Sequence, residues 1–222
     1  MDYEKIKNEE PDISKLKVII FDFDDTLYSG GSWDNFYPTC YNFLASVGVG
    51  KDAAEVEYLF NTKYAKYHPI TTKASVYFAE HDMDVNLLYD YFNKNIYDIT
   101  SENLQFMDYS LLKKLARNYV LCMVTDSSEN YIKHYAKMFG LDLSAFTKIY
   151  CNKHESSDFS KSFYISKCVS EMGAKPKEAV MIGDNFNADI LPARNVKIQT
   201  KYVHSVKDTE EFVKKLIEAK KK

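Results

Sequence analysis

Two short acidic stretches carry the residue types best suited to chemistry. The first, FDFDDTLY, sets Asp22, Asp24 and Asp25 at the end of an apolar run from Lys17 to Phe23. The second, GDNFNAD, sets Asp184 and Asp189 at the end of another, Ala179 to Asp184. Adjacent aspartates after a strand often just end it or cap the next helix, and the first stretch alone leaves that reading open. The second stretch shifts the balance, because parallel strands ending side by side bring Asp22, Asp24 and Asp184 close together. Clustered carboxylates repel, and holding them ionised is costly without a cation. Oxygen-only ligation suits Mg²⁺, which keeps several waters and takes few protein ligands beside a substrate phosphate. A divalent-metal site is the natural physical reading.

Such groups need strands that run the same way. Lys17 to Phe23 is rich in β-branched and aromatic residues and reads as a buried strand. Tyr119 to Asp126, Lys148 to Cys151 and Ala179 to Asp184 are of the same kind, and Val196 to Thr200 is a weaker one. Helical patterns separate them. Ser128 to Phe139 has apolar residues at Tyr131, Ile132, Tyr135, Ala136 and Phe139, and Ser160 to Met172 has them at Phe163, Ile165, Val169 and Met172. Strands alternating with helices predict an α/β chain with a doubly wound parallel sheet, whose ligands sit beyond the carboxyl ends of the strands.

From Gly30 to about Ser110 no strand-like run occurs. Helical patterns cover Trp33 to Val47, Asp52 to Tyr67, Thr71 to Glu80 and Val85 to Ile96, with Asp52 and Glu55 in a capping arrangement. Aromatic residues recur in all four, which predicts a helical insert with its own core.

Together these residues resemble the haloacid dehalogenase superfamily. DFDDT matches its DxDxT signature, Thr125 in VTDSS its second motif, Lys161 at a helix start its third, and Gly183, Asp184 and Asp189 its GDxxxxD. The insert falls where that superfamily places a type-one cap. The resemblance implies a Rossmann-like core over residues 12–28 and 112–222, with a helical cap over 29–111 inserted after the first strand. Gly30 and Gly31 fit a hinge for it. It further implies a Mg²⁺-dependent phosphatase acting on a small-molecule phosphate ester. Asp22 would attack phosphorus and form an aspartyl-phosphate. Asp24 would be the general acid and base, its backbone carbonyl joining Asp22 and Asp184 on the metal. Thr125 and Lys161 would hold the phosphoryl oxygens. Asp189 would orient the metal shell or Lys161. Thr26 would support the loop by a local bond, and Asp25 would turn away from the metal.

Each position also has a plainer reading. Thr125 could cap the helix that follows, Lys153 or Lys167 could stand in for Lys161, and Asp189 could be an ordinary helix residue. Three positions depart from the family's habit: Asp126 stands where Asn is common, Ser162 where Pro is, and Asn195 where Gly is. Asn shares glycine's tolerance of a left-handed backbone, so a left-handed residue is expected at Asn195. Asp24 weighs against a dehalogenase, which needs no leaving-group acid. A phosphomutase shares both aspartates, and a binding protein that has lost turnover would not need them. DFDDTLY and the aromatic insert favour a nucleoside monophosphate or other ring-bearing ester over phosphoglycolate, unless those rings fill the insert's own core.

Composition narrows the rest. The net charge of −3 offers no electrostatic footprint for a nucleic-acid polymer or an anionic membrane. The acidic start MDYEKIKNEEPD resembles no targeting peptide. No apolar run approaches the roughly 20 residues of a membrane helix. Cys40, Cys122, Cys151 and Cys168 form no CxxC pair and read as reduced thiols of a cytoplasmic protein. The five His show no ligand spacing. A monomer or homodimer is expected.

Overall fold

The computed structural model describes residues 6, 8–29, 32–65, 70–84, 87, 90, 91, 94, 104–151 and 160–220. In chain order the elements are β1 (Val18–Phe21), β2 (Tyr28–Ser29), α1 (Ser32–Ser46), α2 (Ala53–Thr62), α3 (Ile70–Glu80), β3 (Gln105–Phe106) and α4 (Ser110–Leu115). There follow β4 (Val120–Thr125), α5 (Glu129–Phe139), β5 (Lys148–Cys151), α6 (Lys161–Glu171), β6 (Ala179–Gly183), α7 (Leu191–Asn195), β7 (Gln199–Tyr202) and α8 (Val206–Ala219). The chain divides into two compact units, Met1–Gly30 with Asn103–Lys222, and Gly31–Glu102.

The first unit is built on a parallel sheet in the order β5-β4-β1-β6-β7, a doubly wound, Rossmann-like α/β arrangement. The apolar strand VIIF takes the centre and is buried along its whole length. A parallel strand covered by helices on both faces needs such a continuous apolar run. On one face Val18, Ile20, Cys122, Val124 and Met181 pack against Ile165, Cys168 and Val169 of α6. Each such aliphatic side chain contributes about 1.5–3 kcal/mol by leaving water. The register sets Phe21 opposite Met123 on one side and Ile182 on the other. The Asp22 N–H donates to the Ile182 carbonyl at 2.9 Å, carrying the ladder one residue past β1. Asp22 thus emerges between the ends of β4 and β6.

Helix caps fix the residues that follow the strands. The Ser128 hydroxyl accepts from the Tyr131 N–H at 3.2 Å to open α5, which closes on Gly140 at φ 71°. The Ser160 hydroxyl accepts from the Phe163 N–H at 3.4 Å and puts Lys161 at the first position of α6. A cap of this kind is worth about 1 kcal/mol.

Three local expectations are corrected. The last strand is Gln199–Tyr202, displaced from the run Val196 to Thr200, because the chain is still turning out of α7 at Val196 and Lys197. The left-handed residue there is Lys197, with φ 63°, while Asn195 completes the helix. The Ile198 N–H closes this turn on the Ala193 carbonyl at 3.0 Å. The third is a short antiparallel pair, β2 with β3, that sets Tyr28 opposite Phe106 in a region expected to lack strands. Two-residue strands carry no readable period.

In the second unit Cys40, Tyr41, Leu44, Val56, Phe60, Tyr64, Ala74 and Phe78 form a core between α1, α2 and α3. The Asp52 carboxylate opens α2 by accepting from the Glu55 N–H at 2.9 Å. Gly30, Gly31, the side chains of Trp33 and Phe36, and most of the helix expected over 85–96 lie outside the described residues. All four cysteines are free, with Cys40, Cys122 and Cys168 buried. Among the described residues no helix is long and apolar enough to cross a membrane.

Candidate active site

Lys161 anchors the centre of the site. Its ammonium lies 2.7 Å from Asp22 Oδ1, 2.5 Å from Asp189 Oδ1 and 3.4 Å from Asp126 Oδ2. Asp22, Asp189 and Lys161 are all buried, whereas the Asp126 side chain is 49% exposed. Three carboxylates around one ammonium leave an excess of negative charge in a desolvated place. Burial alone would pull Lys161 down, but Asp22, Asp189 and Asp126 together hold it well above its ordinary value. Burial, reinforced by Asp189, pushes Asp22 well above the usual carboxylate range despite Lys161. Asp189 is raised by burial, with Lys161 pulling the other way. The other lysine expected to compete and described here, Lys167, is half-exposed on α6 and 3.8 Å from Glu171.

Asp189 is placed by the turn that precedes α7. Its Oδ2 accepts from the Asn185 N–H at 2.9 Å while Oδ1 accepts from Lys161. Gly183 allows this approach. A Cβ at Gly183 would stand 2.3 Å from Asp189 Oδ2 and 2.5 Å from its Cβ and Cγ, which no side chain tolerates. Glycine at the end of β6 is therefore a steric requirement of the buried Asp189.

Oxygen atoms of Asp22, Asp184 and Asp189 all lie within 4.8 Å of one another. Burial, then Asp189 and Asp25, push Asp184 up to about 7. Carboxylates this reluctant to ionise fit a cation, and their oxygen-only donor set suits a hard one. Because both Asp189 oxygens already have donors, Asp22 and Asp184 are the carboxylates with capacity to spare. The Thr26 hydroxyl donates to Asp184 Oδ1 at 3.4 Å, so in place of the local bond expected it links the two motifs. Asp25 is half-buried with φ 52°, and burial followed by Asp24 raises its carboxyl.

Thr125 ends β4 fully buried, and its hydroxyl accepts from the Ser127 N–H at 3.1 Å. It does not cap α5; Ser128 does.

The Asp24 carboxylate has hydrogen-bond partners of its own. Its Oδ1 accepts from Tyr28 at 2.5 Å and Tyr131 at 2.8 Å, and its Oδ2 accepts from the Ser127 hydroxyl. The two phenol oxygens also lie within hydrogen-bonding distance of each other. Burial first, then Asp24, raise both well above the ordinary tyrosine value, so they remain hydrogen-bond donors. Sequence reasoning missed all three hydroxyls. Tyr131 counts there as part of an apolar helix face, and periodicity says nothing about where a phenol oxygen points.

A parallel sheet whose central strand delivers a buried aspartate to a lysine, beside a second carboxylate pair, defines the class. The family model of haloacid dehalogenase-like hydrolases matches residues 16–197, and the chain belongs to that family. A glyceraldehyde 3-phosphate phosphatase of Pyrococcus furiosus is 25% identical over 207 residues, spanning 84% of this chain and 80% of its own. Among solved structures, a phosphatase of the same family from Thermococcus onnurineus superposes with a TM-score of 0.58 at 21% identity, covering 85% of this chain and 86% of its own. The CbbY protein of Rhodobacter sphaeroides, in complex with phosphate, superposes with a TM-score of 0.60 at 14% identity, covering 83% and 84%. At those identities the two structures bear on the fold alone.

Proposed function

We propose that this hydrolase cleaves phosphomonoesters of small metabolites with Mg²⁺, through an aspartyl-phosphate on Asp22. The observation that carries this reading is the pairing of buried Asp22 with Lys161 at the end of the central strand, beside Asp184. In the first step an Asp22 oxygen forms a bond to phosphorus while the bond to the ester oxygen breaks, and Asp24 gives that oxygen its proton. In the second, water attacks phosphorus, Asp24 takes the water's proton, phosphate leaves and Asp22 is regenerated. Lys161 and the Thr125 hydroxyl hold the phosphoryl oxygens as charge builds on them. Asp189 keeps Lys161 aimed. Asp22 and Asp184, with the Asp24 carbonyl, would hold Mg²⁺, which when bound would offset charge on the phosphoryl group and screen its repulsion with the Asp22 carboxylate.

The named relative supports a phosphate ester as the substrate class. The helical unit, residues 31–102, is proposed to act as the cap that selects among such esters. Among the described residues, Tyr41, Phe60, Tyr64 and Phe78 are explained by packing, because they fill the unit's own core, whereas Tyr58 is exposed. Triose phosphates therefore belong in the substrate panel beside nucleoside monophosphates and phosphoglycolate. Phosphate release from a generic aryl phosphate, with Mg²⁺ and after EDTA, tests the reading. Activity that survives exhaustive chelation, or an Asp22→Asn enzyme that still turns over, refutes it.

A further inference from the structure

We propose that Tyr28 and Tyr131, together with Ser127, are positioning residues that hold the Asp24 carboxyl in the orientation from which it exchanges a proton with the leaving group. This rests on the phosphomonoesterase reading of the site. The three hydroxyls come from three different places in the chain: β2, the loop after β4, and α5. Between them they occupy both Asp24 oxygens, two on Oδ1 and one on Oδ2. A half-buried aspartate with two free torsions would otherwise sample several rotamers.

The two phenols are themselves immobile. Tyr28 is 2% exposed and Tyr131 1%. The Phe23 ring lies 5.0 Å from Tyr28 and 6.1 Å from Tyr131, and Tyr135 stacks on Tyr28 at 5.3 Å with planes 14° apart. Packing alone would be served as well by phenylalanine, which brings no polar atom into the core. The hydroxyls are thus the part of these side chains that packing does not account for. Rigid rings aimed at one carboxylate are what a catalytic acid needs, since small misplacement of a proton donor is expensive in rate.

The proton that Asp24 delivers matters in proportion to the basicity of the leaving oxygen. An alkoxide must be protonated as its bond to phosphorus breaks, whereas dinitrophenolate leaves without help. The experiment measures kcat/KM, with Mg²⁺, for an alkyl phosphate, phenyl phosphate and 2,4-dinitrophenyl phosphate. The full-length proteins compared are wild type, Tyr28→Phe, Tyr131→Phe, the double variant and Asp24→Asn. The double variant should lose about 10-fold or more on the alkyl ester, the scale of hydrogen bonds to a charged group. It should stay near wild type on the dinitrophenyl ester. KM should change little, and thermal denaturation should show each variant folded. Phe139→Leu disturbs the same ring cluster, at 5.2 Å from Tyr28, and involves no hydroxyl. It should alter no leaving-group dependence. A double variant that loses rate equally on all three esters, or on none, while Asp24→Asn is selectively poor on the alkyl ester, overturns the tyrosine assignment alone. An Asp24→Asn enzyme with wild-type leaving-group dependence overturns the role of Asp24, and the assignment with it.

Discussion

Asp184→Asn should flatten the pH dependence of stability in the metal-free protein. Burial, with Asp189 and Asp25 close by, raises the Asp184 carboxyl from 3.8 to about 7. A group raised by folding holds its proton more tightly in the folded state. Its contribution is therefore complete below the unfolded value of about 4 and is lost as pH rises toward the folded one. At about 1.4 kcal/mol per unit the full shift corresponds to about 4 kcal/mol, and solvent screening of a half-buried carboxyl reduces that to about 2. In a chain of this size that is about 4–8 °C in melting temperature. The assay is thermal unfolding of EDTA-treated protein at pH 5 and pH 8, an interval that spans about two-thirds of that shift. Wild type should melt lower at pH 8, and Asp184→Asn should lack this share of the difference. Asp22 and Asp25 shift in the same direction, which is why the comparison is between wild type and variant rather than between two pH values. Saturating Mg²⁺ at pH 8 should return about 2.7 kcal/mol to wild type at a hundred times its Kd, and much less to the variant. Equal pH dependence in the two proteins would mean that Asp184 is not the strained acid described here.

Three other outcomes are expected. Asp22→Asn should abolish phosphate release while thermal unfolding remains cooperative, because an amide fills the same space but is a poor nucleophile; residual turnover at the wild-type rate removes the covalent step. Gly183→Ala should cost about 1–3 kcal/mol for overpacking, plus about 3–5 kcal/mol if Asp189 is forced off Lys161, and should lower kcat. A denaturant titration checks this, and a variant as stable as wild type would show that Asp189 is not wedged against the strand end. Phe60→Ala should destabilise the helical unit by about 3–5 kcal/mol and leave the ranking of substrates unchanged; a reordered ranking would mean that this ring touches substrate.

The parallel sheet was legible because its strands are continuous apolar runs, and the alternation with helices admits few topologies. The placement of Asp22, Lys161 and Asp184 followed from the same logic, since each stands one step beyond a strand or at a helix start. Other features had no sequence signal. The β2–β3 pair is too short for a period, and Lys197 in the left-handed region is a lysine where glycine or asparagine would be read. The Gly183–Asp189 contact joins residues six apart whose closeness depends on a turn that no pattern specifies. The hydroxyls on Asp24 stayed hidden because tyrosine on an apolar helix face reads as core, which it also is.

The place of VIIF in the sheet also bears on how the chain reaches its native state. β1 is almost the first structured segment, yet its two neighbours begin at Val120 and Ala179. Until Val120–Thr125 has been synthesised both edges of this apolar strand are unpaired, one edge stays open until Ala179–Gly183 follows, and Asp22 has no lysine before Lys161. The contacts that close the sheet are among the longest in sequence that the fold contains, the kind that slow folding and expose intermediates to aggregation. The helical unit, by contrast, draws its core from residues within about forty positions of one another. A ribosome would release this protein with its insert able to condense early, while its carboxylate–lysine site waits for the last third of the chain.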